Sequence, residues 1–366
     1  FCPASIFFHS LETEENIMVQ DSFQLNGTNA HKHSDSATYS TEKSVLQGVS
    51  VYCEKYNLIG KIDVFDEKTG ILTERKKKIK TVYDGYIYQI YAQYFSLIEM
   101  GYKVNKLRLY SMDDNKIHTV SKPEEDKIMR RVEQRFNKGV VKYRLIEDGD
   151  KILVGLSGGK DSLALLELLA KRSRILKPRF TVMAVHIGMT NIPYQSDLEY
   201  LKNYAEGLGV PFVYFETSFD LSTDTRKSPC FLCSWNRRKA LFTVAKEHGC
   251  TKIALGHHMD DILETLLMNI TFQGAFGTMP PRLVMRKFDM TIIRPMCLVH
   301  ESDLSDMARV RGYRRQIKNC PYESQSNRSD MKEVLKSLEK LNPEARYSLW
   351  GSMTNIQEDL LPDKID

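Results

Sequence analysis

The sequence predicts an α/β fold, a doubly wound parallel sheet preceded by a smaller α/β domain, and three observations carry that expectation. First, apolar strand-length runs at Leu153–Leu156, Thr181–Ile187, Phe212–Phe215 and Ile253–Leu255 alternate with helical segments. Second, the first run leads through Ser157-Gly158-Gly159-Lys160-Asp161-Ser162 into Leu163–Ala170, whose spacing is helical. Strand, glycine-rich turn and helix in that order place backbone N–H groups and a helix dipole at a strand's carboxyl end, where anions bind. Third, the stretch before Ser121 has a different rhythm, with short strands around one helix.

At 366 residues with 42% apolar content, the chain is long enough for about two domains with sizeable cores. A net charge of +5 fits a nucleic-acid partner without requiring one. No apolar run approaches ~18 residues and no signal peptide is visible, so a cytoplasmic protein without a membrane partner is expected. The chain opens on Phe1 rather than Met, which points to a natural start upstream. Its seven cysteines include one CxxC pair, which favours metal or redox use over a disulfide framework.

In chain order, the polar stretch Asn26–Ser44 reads as irregular. Ser50–Cys53, Leu58–Phe65 and the charged Leu72–Lys80 read as strands, with a hairpin turn at Thr69-Gly70. Asp84–Met100 repeats Ile87, Ile90, Tyr91, Tyr94, Leu97 and Ile98 on one helical side, and Gly101 suits its end. Lys106–Tyr110 and Lys116–Val120 are two further strands. Ser121-Lys122-Pro123-Glu124-Glu125 reads as a helix start and as the boundary between domains 1–120 and 121–366. The basic helix that follows, Lys127–Lys138, and Arg237/Arg238 are expected to meet RNA phosphates.

Three features carry the distal chemistry. The Ser157–Ser162 loop is not a Walker-type loop, since its spacing is not GxxxxGK[ST]; an ordinary βα turn is the bland alternative. Cys230 and Cys233, with Cys320 far downstream, can ligate one metal or cluster. Zinc would want a fourth ligand, which a histidine could supply, whereas a 4Fe–4S cluster on three cysteines leaves one iron open for sulfide or substrate. A reduced CxxC without metal is the plain reading. Arg237 and Arg238 nearby favour thiolates and can bind phosphate. Finally, Gly256-His257-His258-Met259-Asp260-Asp261 follows a strand, so Asp260 and Asp261 are candidates for Mg²⁺ or general acid/base work, or simply a polar helix start.

SGGKDS, PCFLCSWNRR, GHHMDDILET, TMPPRLV with IIRP, the single Cys320 and ARYSLWGSMTNIQ occur in that order. On these motifs residues ~125–362 resemble the TtcA/TtuA family of tRNA 2-thiolation enzymes, ATP pyrophosphatases of the PP-loop type. The resemblance implies ATP held by Ser157, Gly158, Gly159, Lys160, Asp161 and Ser162, with Gly256 and His257 beside it. It implies Asp161, Asp260 and Arg237 in catalysis with Mg²⁺, and a 4Fe–4S cluster on Cys230, Cys233 and Cys320. It further implies tRNA as substrate, 2-thiocytidine as product through an adenylated base, a cysteine desulfurase or persulfide carrier as sulfur donor, and compatibility with a homodimer. The chemistry is sensible, because a ring carbonyl oxygen leaves poorly and AMP leaves well.

The proximal chemistry is Asp63 and Glu74-Arg75-Lys76 across a hairpin, where period-2 alternation can put two carboxylates and an ammonium on one face. Such a set can hold Mg²⁺ or Mn²⁺ and activate water against a phosphodiester; a charged, solvated hairpin is the bland alternative. His31 is a further candidate ligand, with His33 competing, and Gln89 follows in the next helix. Phe1-Cys2-Pro3, Gly27…His31, Gly60-Lys61-Ile62-Asp63, Glu74-Arg75-Lys76 and Asp84…Gln89…Gln93 resemble the CRISPR-associated RecB-like PD-(D/E)xK exonucleases. This resemblance implies His31, Asp63 and Glu74 as metal ligands, Lys76 as catalytic lysine, Gln89 as a positioning residue, and DNA ends and CRISPR adaptation proteins as partners. Cys2 matches the first cluster cysteine of that family, but no cysteine lies between Cys53 and Cys230 to supply the other three. Two whole-chain readings follow: a tRNA sulfurtransferase with an appended nuclease-like domain, or a CRISPR-associated exonuclease fused to a PP-loop partner. A joining of two truncated genes is the third.

Overall fold

The computed structural model describes residues 44–192, 196–220, 228–314, 316 and 328–360. They form two compact units that divide between Lys127 and Ile128. Cys2, His31, His33 and Cys320 lie outside the described residues. Among those described, no helix is long and apolar enough to cross a membrane.

The first unit contains β1 (Val45–Gln47), β2 (Ser50–Cys53), β3 (Leu58–Lys61), β4 (Val64–Asp66), β5 (Ile71–Lys76), α1 (Asp84–Glu99), β6 (Lys106–Ser111) and β7 (Lys116–Val120). Its main sheet runs β1-β4-β5-β6-β7, while β2 and β3 pair separately. Only β5 and β6 are parallel neighbours in that sheet, and α1 supplies the crossover a parallel pair needs. Ile90, Tyr94 and Leu97 of α1 are buried on one face, against Phe65, Leu72, Leu107 and Leu109 of the strands. The expected single strand Leu58–Phe65 is divided between two sheets: β3 pairs with β2, the fully buried Ile62 extends that register by donating its N–H to Val49 O at 3.0 Å, and β4 then pairs with β1 and β5. The expected strand Leu72–Lys80 stops at Lys76, after which the Ser111 hydroxyl takes the Ile79 N–H at 3.0 Å.

The β4–β5 turn requires its glycine. Gly70 has φ +68°, and a Cβ there would stand 2.5 Å from Asn105 Nδ2 and 2.7 Å from Lys103 O. Asn105 N–H in turn donates to Gly70 O at 2.7 Å.

α2 (Pro123–Lys142) spans the division and leads in the second unit into β8 (Lys151–Gly155), α3 (Lys160–Arg172), β9 (Thr181–Met189), α4 (Leu198–Gly207) and β10 (Phe212–Thr217). Then come α5 (Pro229–Glu247), β11 (Lys252–Ala254), α6 (Met259–Gln273), β12 (Arg282–Met285), β13 (Met290–Ile293), α7 (Glu301–Arg311), α8 (Arg328–Leu341) and α9 (Ala345–Ser352). The sheet order is β10-β9-β8-β11-β13-β12. It is parallel except for β12, which adds an antiparallel edge to the expected all-parallel sheet. One face packs α2, α3, α4 and α7 through Phe136, Leu166, Leu201 and Leu304; the other packs α5 through Ala240, Val244 and Ala245. From β8 the chain proceeds to β9 and β10 on one side, then returns to β11 on the other. A crevice therefore opens at the carboxyl ends of β8 and β11, the switch point where such folds bind ligands. The other end of these strands is closed by Lys252, which is buried with Nζ 2.8 Å from both Glu147 Oε2 and Asp150 Oδ2 and 3.1 Å from Leu145 O.

Gly70→Ala should destabilise the β4–β5 hairpin by about 1–3 kcal/mol, since the left-handed backbone and the close approach both oppose a methyl group. Native-state hydrogen exchange should show the β4 and β5 amides opening roughly 5- to 150-fold more often; unchanged protection would contradict the assignment.

Candidate active site

Ser157–Ser162 forms the turn between β8 and α3. Gly159 stands at the N-cap of α3 without a side-chain cap hydrogen bond, so the opening amides of the helix keep their donors for a ligand. Ser162 Oγ donates to Gly159 O at 2.9 Å and lies 3.2 Å from Ser157 Oγ, which ties the turn to itself. Gly158 has φ +82°, and a Cβ there would meet Gln316 Cγ at 2.6 Å. Gln316 is buried and its Oε1 accepts the Asp197 N–H at 2.8 Å, so it seats the turn against the start of α4.

Lys160 Nζ is 3.1 Å from Asp161 Oδ1 and 3.5 Å from Glu301 Oε1. Glu301 also reaches Lys332 Nζ at 2.5 Å. Burial alone would push the Glu301 carboxyl up, but the Lys332 hydrogen bond and the Lys160 and Lys332 charges outweigh it and hold it below its ordinary value. The crevice floor is thus a chain of alternating charge from Asp161 to Lys332.

The 256–261 segment faces this turn. A Cβ on Gly256 would lie 3.2 Å from the Asp161 carbonyl carbon and 3.3 Å from Ser162 N, so the two loops touch through backbone. His258 and Asp261 form a reciprocal capping box on α6: Asp261 Oδ2 accepts the His258 N–H at 3.1 Å, and His258 Nδ1 accepts the Asp261 N–H at 3.4 Å. Asp260 is buried, with Oδ2 accepting Glu301 N–H at 2.8 Å and Oδ1 bound by Arg346. Both of its oxygens are committed, which argues against the expected Mg²⁺ or acid/base role and makes it an anchor for α7 and α9. Asp161, with its side chain about one-third exposed beside the loop, is the carboxylate placed to meet a ligand.

Beside the turn a cavity of about 300 Å³ opens at the ends of β9 and β10, lined by His186, Gly188, Thr190, Tyr214 and Glu216 among others. His186 is buried, its Nδ1 2.7 Å from Leu156 O, and its ring stacks on Tyr214 at 6.1 Å and 13°. Burial lowers the His186 pKa, the Leu156 carbonyl opposes this, and the Arg237 charge adds to the lowering.

Cys230 and Cys233 stand in the first turn of α5, which starts at Pro229 and is capped by Ser228 Oγ accepting Phe231 N–H. Spacing of i, i+3 at a helix N-terminus puts both sulfurs on adjoining sides of one turn. Cys233 packs against Met189, Ile192 and Phe219, at the same sheet end as the nucleotide turn, and Cys230 is exposed. Two soft donors so placed fit a metal or cluster; Cys320 would be the third. By contrast Cys53, Cys250 and Cys297 are buried, and burial pushes the Cys297 thiol up to about 12.

The expected RNA-binding arginines of α2 are otherwise engaged. Arg131 Nε is 2.7 Å from Asp303 Oδ1, and Arg135 pairs with the same carboxylate, so they bind α2 to α7. Arg237 is half-buried, whereas Arg238 and Lys239 are exposed.

The first unit assembles its own cluster. Val64 pairs with Thr73, so Asp63 falls opposite Glu74 on one side of the hairpin. Asp63 Oδ2 accepts Arg75 N–H at 2.6 Å. Glu74 is buried, with Lys76 Nζ at 2.8 Å and Gln93 Nε2 at 2.7 Å; Lys76 also donates to Gln89 Oε1 at 2.7 Å. Burial raises the Glu74 pKa, Lys76 opposes this, and Asp63 adds to the rise. Among the described residues no three His, Cys, Asp or Glu side chains converge as a ligand shell in either unit.

Glu301, Lys332, Gln316 and Arg346 were not singled out from the sequence. Arg346 does lie inside the ARYSLWG run, but its pairing with Asp260 spans 86 positions and leaves no local signal.

A family model of the PP-loop domain matches residues 125–316. The tRNA-cytidine(32) 2-sulfurtransferase of Geotalea daltonii is 36% identical over 246 residues, 66% of this chain and 97% of that protein. The same enzyme of Cellvibrio japonicus is 35% identical over 245 residues, 66% of this chain and 80% of that protein. Among solved structures, the U34-tRNA thiolase NcsA from Methanococcus maripaludis with its 4Fe–4S cluster shares the fold, with a TM-score of 0.53 at 23% identity over 66% of this chain and 83% of that one.

His186 should make the second unit acid-sensitive. Its folded pKa lies below the ordinary 6.5, so below that pH the unfolded chain takes a proton that the folded chain refuses. Stability should fall as pH drops from 7 to 5, by at most ~1.4 kcal/mol per unit from this group. Denaturant melts of His186→Gln against the parent should show a flatter slope in that window; an equal slope would exclude His186 as the cause.

Proposed function

This chain belongs to the PP-loop domain family, and from that premise we propose that it transfers sulfur to a tRNA base at the expense of ATP, forming 2-thiocytidine in the anticodon loop. The observation that carries the reading is the uncapped start of α3, which shares one sheet end with the CxxC of α5. The amides at Lys160–Ser162, the two serine hydroxyls and Lys160 bind the phosphates that leave as pyrophosphate. Asp161 holds Mg²⁺ at that end, and the cavity beside His186 and Tyr214 takes the nucleoside. The cytidine O2 attacks the α-phosphorus; sulfur at the sulfide level then forms the C2–S bond while the C2–O bond breaks and AMP leaves. Cys230, Cys233 and Cys320 would hold a 4Fe–4S cluster, which when bound supplies an iron site for sulfide. Its target base must leave the loop stack to enter the crevice.

A second reading, for the first unit, is favoured by the cluster of Asp63, Glu74, Lys76 and Gln89. It fits a PD-(D/E)xK nuclease site in which Asp63 and Glu74 hold Mg²⁺ or Mn²⁺ with His31, Lys76 supports the attacking water, and DNA ends are the substrate. In this reading the two activities fall on domains 1–120 and 121–366, close to the division of the compact units between Lys127 and Ile128.

Two assays test these readings. With ATP and unmodified tRNA under anaerobic conditions, the chain should release AMP and pyrophosphate, and Lys160→Ala or Asp161→Ala should cut the rate at least ~100-fold, the loss of a transition-state charge contact. ADP and phosphate as products would overturn the first reading. For the second, Mn²⁺-dependent degradation of single-stranded DNA ends should disappear in Asp63→Ala and Lys76→Ala; equal degradation by parent and both variants would overturn it.

A further inference from the structure

The outward stripe of α5 is unusual for a soluble helix. Phe231, Trp235 and Arg238 recur at i, i+4 and i+7, which places them along one side, and Phe242 at i+11 is half-buried and packs against the core beneath the helix. Phe231 is 47% and Trp235 50% exposed. Lys239 Nζ stands 5.7 Å from the Trp235 ring centroid. Phe242 stacks on Phe288 with centroids 4.9 Å apart and planes at 26°, and Phe288 is itself half exposed. No aspartate or glutamate occurs from Pro229 to Lys246, while Arg237, Arg238, Lys239 and Lys246 do. Large bare aromatic surface next to concentrated positive charge is the pattern of a single-strand nucleic-acid platform, where π faces take bases and cations take phosphates.

We propose that this face of α5 receives the single-stranded RNA flanking the reacting base, with one base stacked on Trp235 and the adjoining phosphates on Arg238 and Lys239. The inference rests on the tRNA-thiolation reading and gives it a docking surface. The stripe begins at Phe231, between the two cysteines, so RNA lying along it would deliver the neighbouring base to the CxxC end of the crevice. An apolar protein partner is the poorer occupant, because the aromatic side chains are interleaved with cations rather than rimmed by them. Arg131 and Arg135 of α2 do not compete for this task, being paired with Asp303.

The chain has two tryptophans, and the other, Trp350, donates internally to Tyr143 Oη at 2.9 Å. Emission can therefore report stacking on Trp235. Titration with an unmodified tRNA transcript, and with its isolated anticodon stem–loop, should quench part of the emission, and Trp235→Phe should lose that quench while keeping affinity within about threefold. Trp235→Ala should weaken binding roughly tenfold or more by filter retention, as loss of one stacked base does, and Lys239→Ala should reduce the salt dependence of binding. If the transcript binds parent and Trp235→Ala equally and emission does not change, the platform is overturned while the thiolation reading stands. If no tRNA binds the parent chain at low salt, the thiolation reading falls and the platform with it.

Discussion

A buried carboxylate organises the crevice. Asp260 is removed from solvent, a state that costs several kcal/mol unless the charge is fully compensated. Its compensation comes from the first backbone amide of α7 and from Arg346 of α9, and Arg346 also binds Glu339 of α8. One charge therefore ties the starts of α7 and α9 and, through Arg346, the last turn of α8 to α6. The consequence reaches the phosphate turn, because the same Glu301 whose amide meets Asp260 extends its side chain to Lys160 and Lys332. Loss of that carboxylate would leave Arg346 without one partner and α7 without its anchor, and the effect would reach the turn through Glu301.

What could be read from the chain beforehand follows the range of the interactions. Ser157–Ser162 was legible because its glycines, serines and lysine act within six positions, through backbone conformation and a helix end. The facing of Asp63 and Glu74 was legible because strand periodicity is short-ranged. The division of Leu58–Phe65 was not, since it depends on β3 and β4 choosing partners in different sheets, and a run of β-formers hides it. Arg131 and Arg135 read as a nucleic-acid face because local charge gives no hint of Asp303, which lies some 170 positions on. Asp260 misled for the same reason: a carboxylate at the start of a helix after a strand looks like a ligand until its distant guanidinium is seen. Gln316 carries no motif, and only the tight contact at Gly158 discloses it.

The two units use carboxylates in opposite ways. Asp260 is compensated by a guanidinium and a backbone amide. Glu74 is equally buried, but its partners are a flexible ammonium and an amide, with Asp63 opposing from the next strand. Asp63 close to the desolvated Glu74 adds a repulsion that raises the Glu74 pKa further. Lys76 already offsets part of that repulsion and is held in line by Gln89.

Lys252 divides the larger sheet into two ends of different character. Its ammonium, clasped by Glu147, Asp150 and a carbonyl, seals the amino ends of β8 and β11 with a fixed, internally satisfied network. The working end lies one strand length away, about 17 Å for five residues. The sealed end behaves as a handle: a spectroscopic label attached near it would sit a full strand length from the 157–162 turn and leave that turn's backbone contacts untouched.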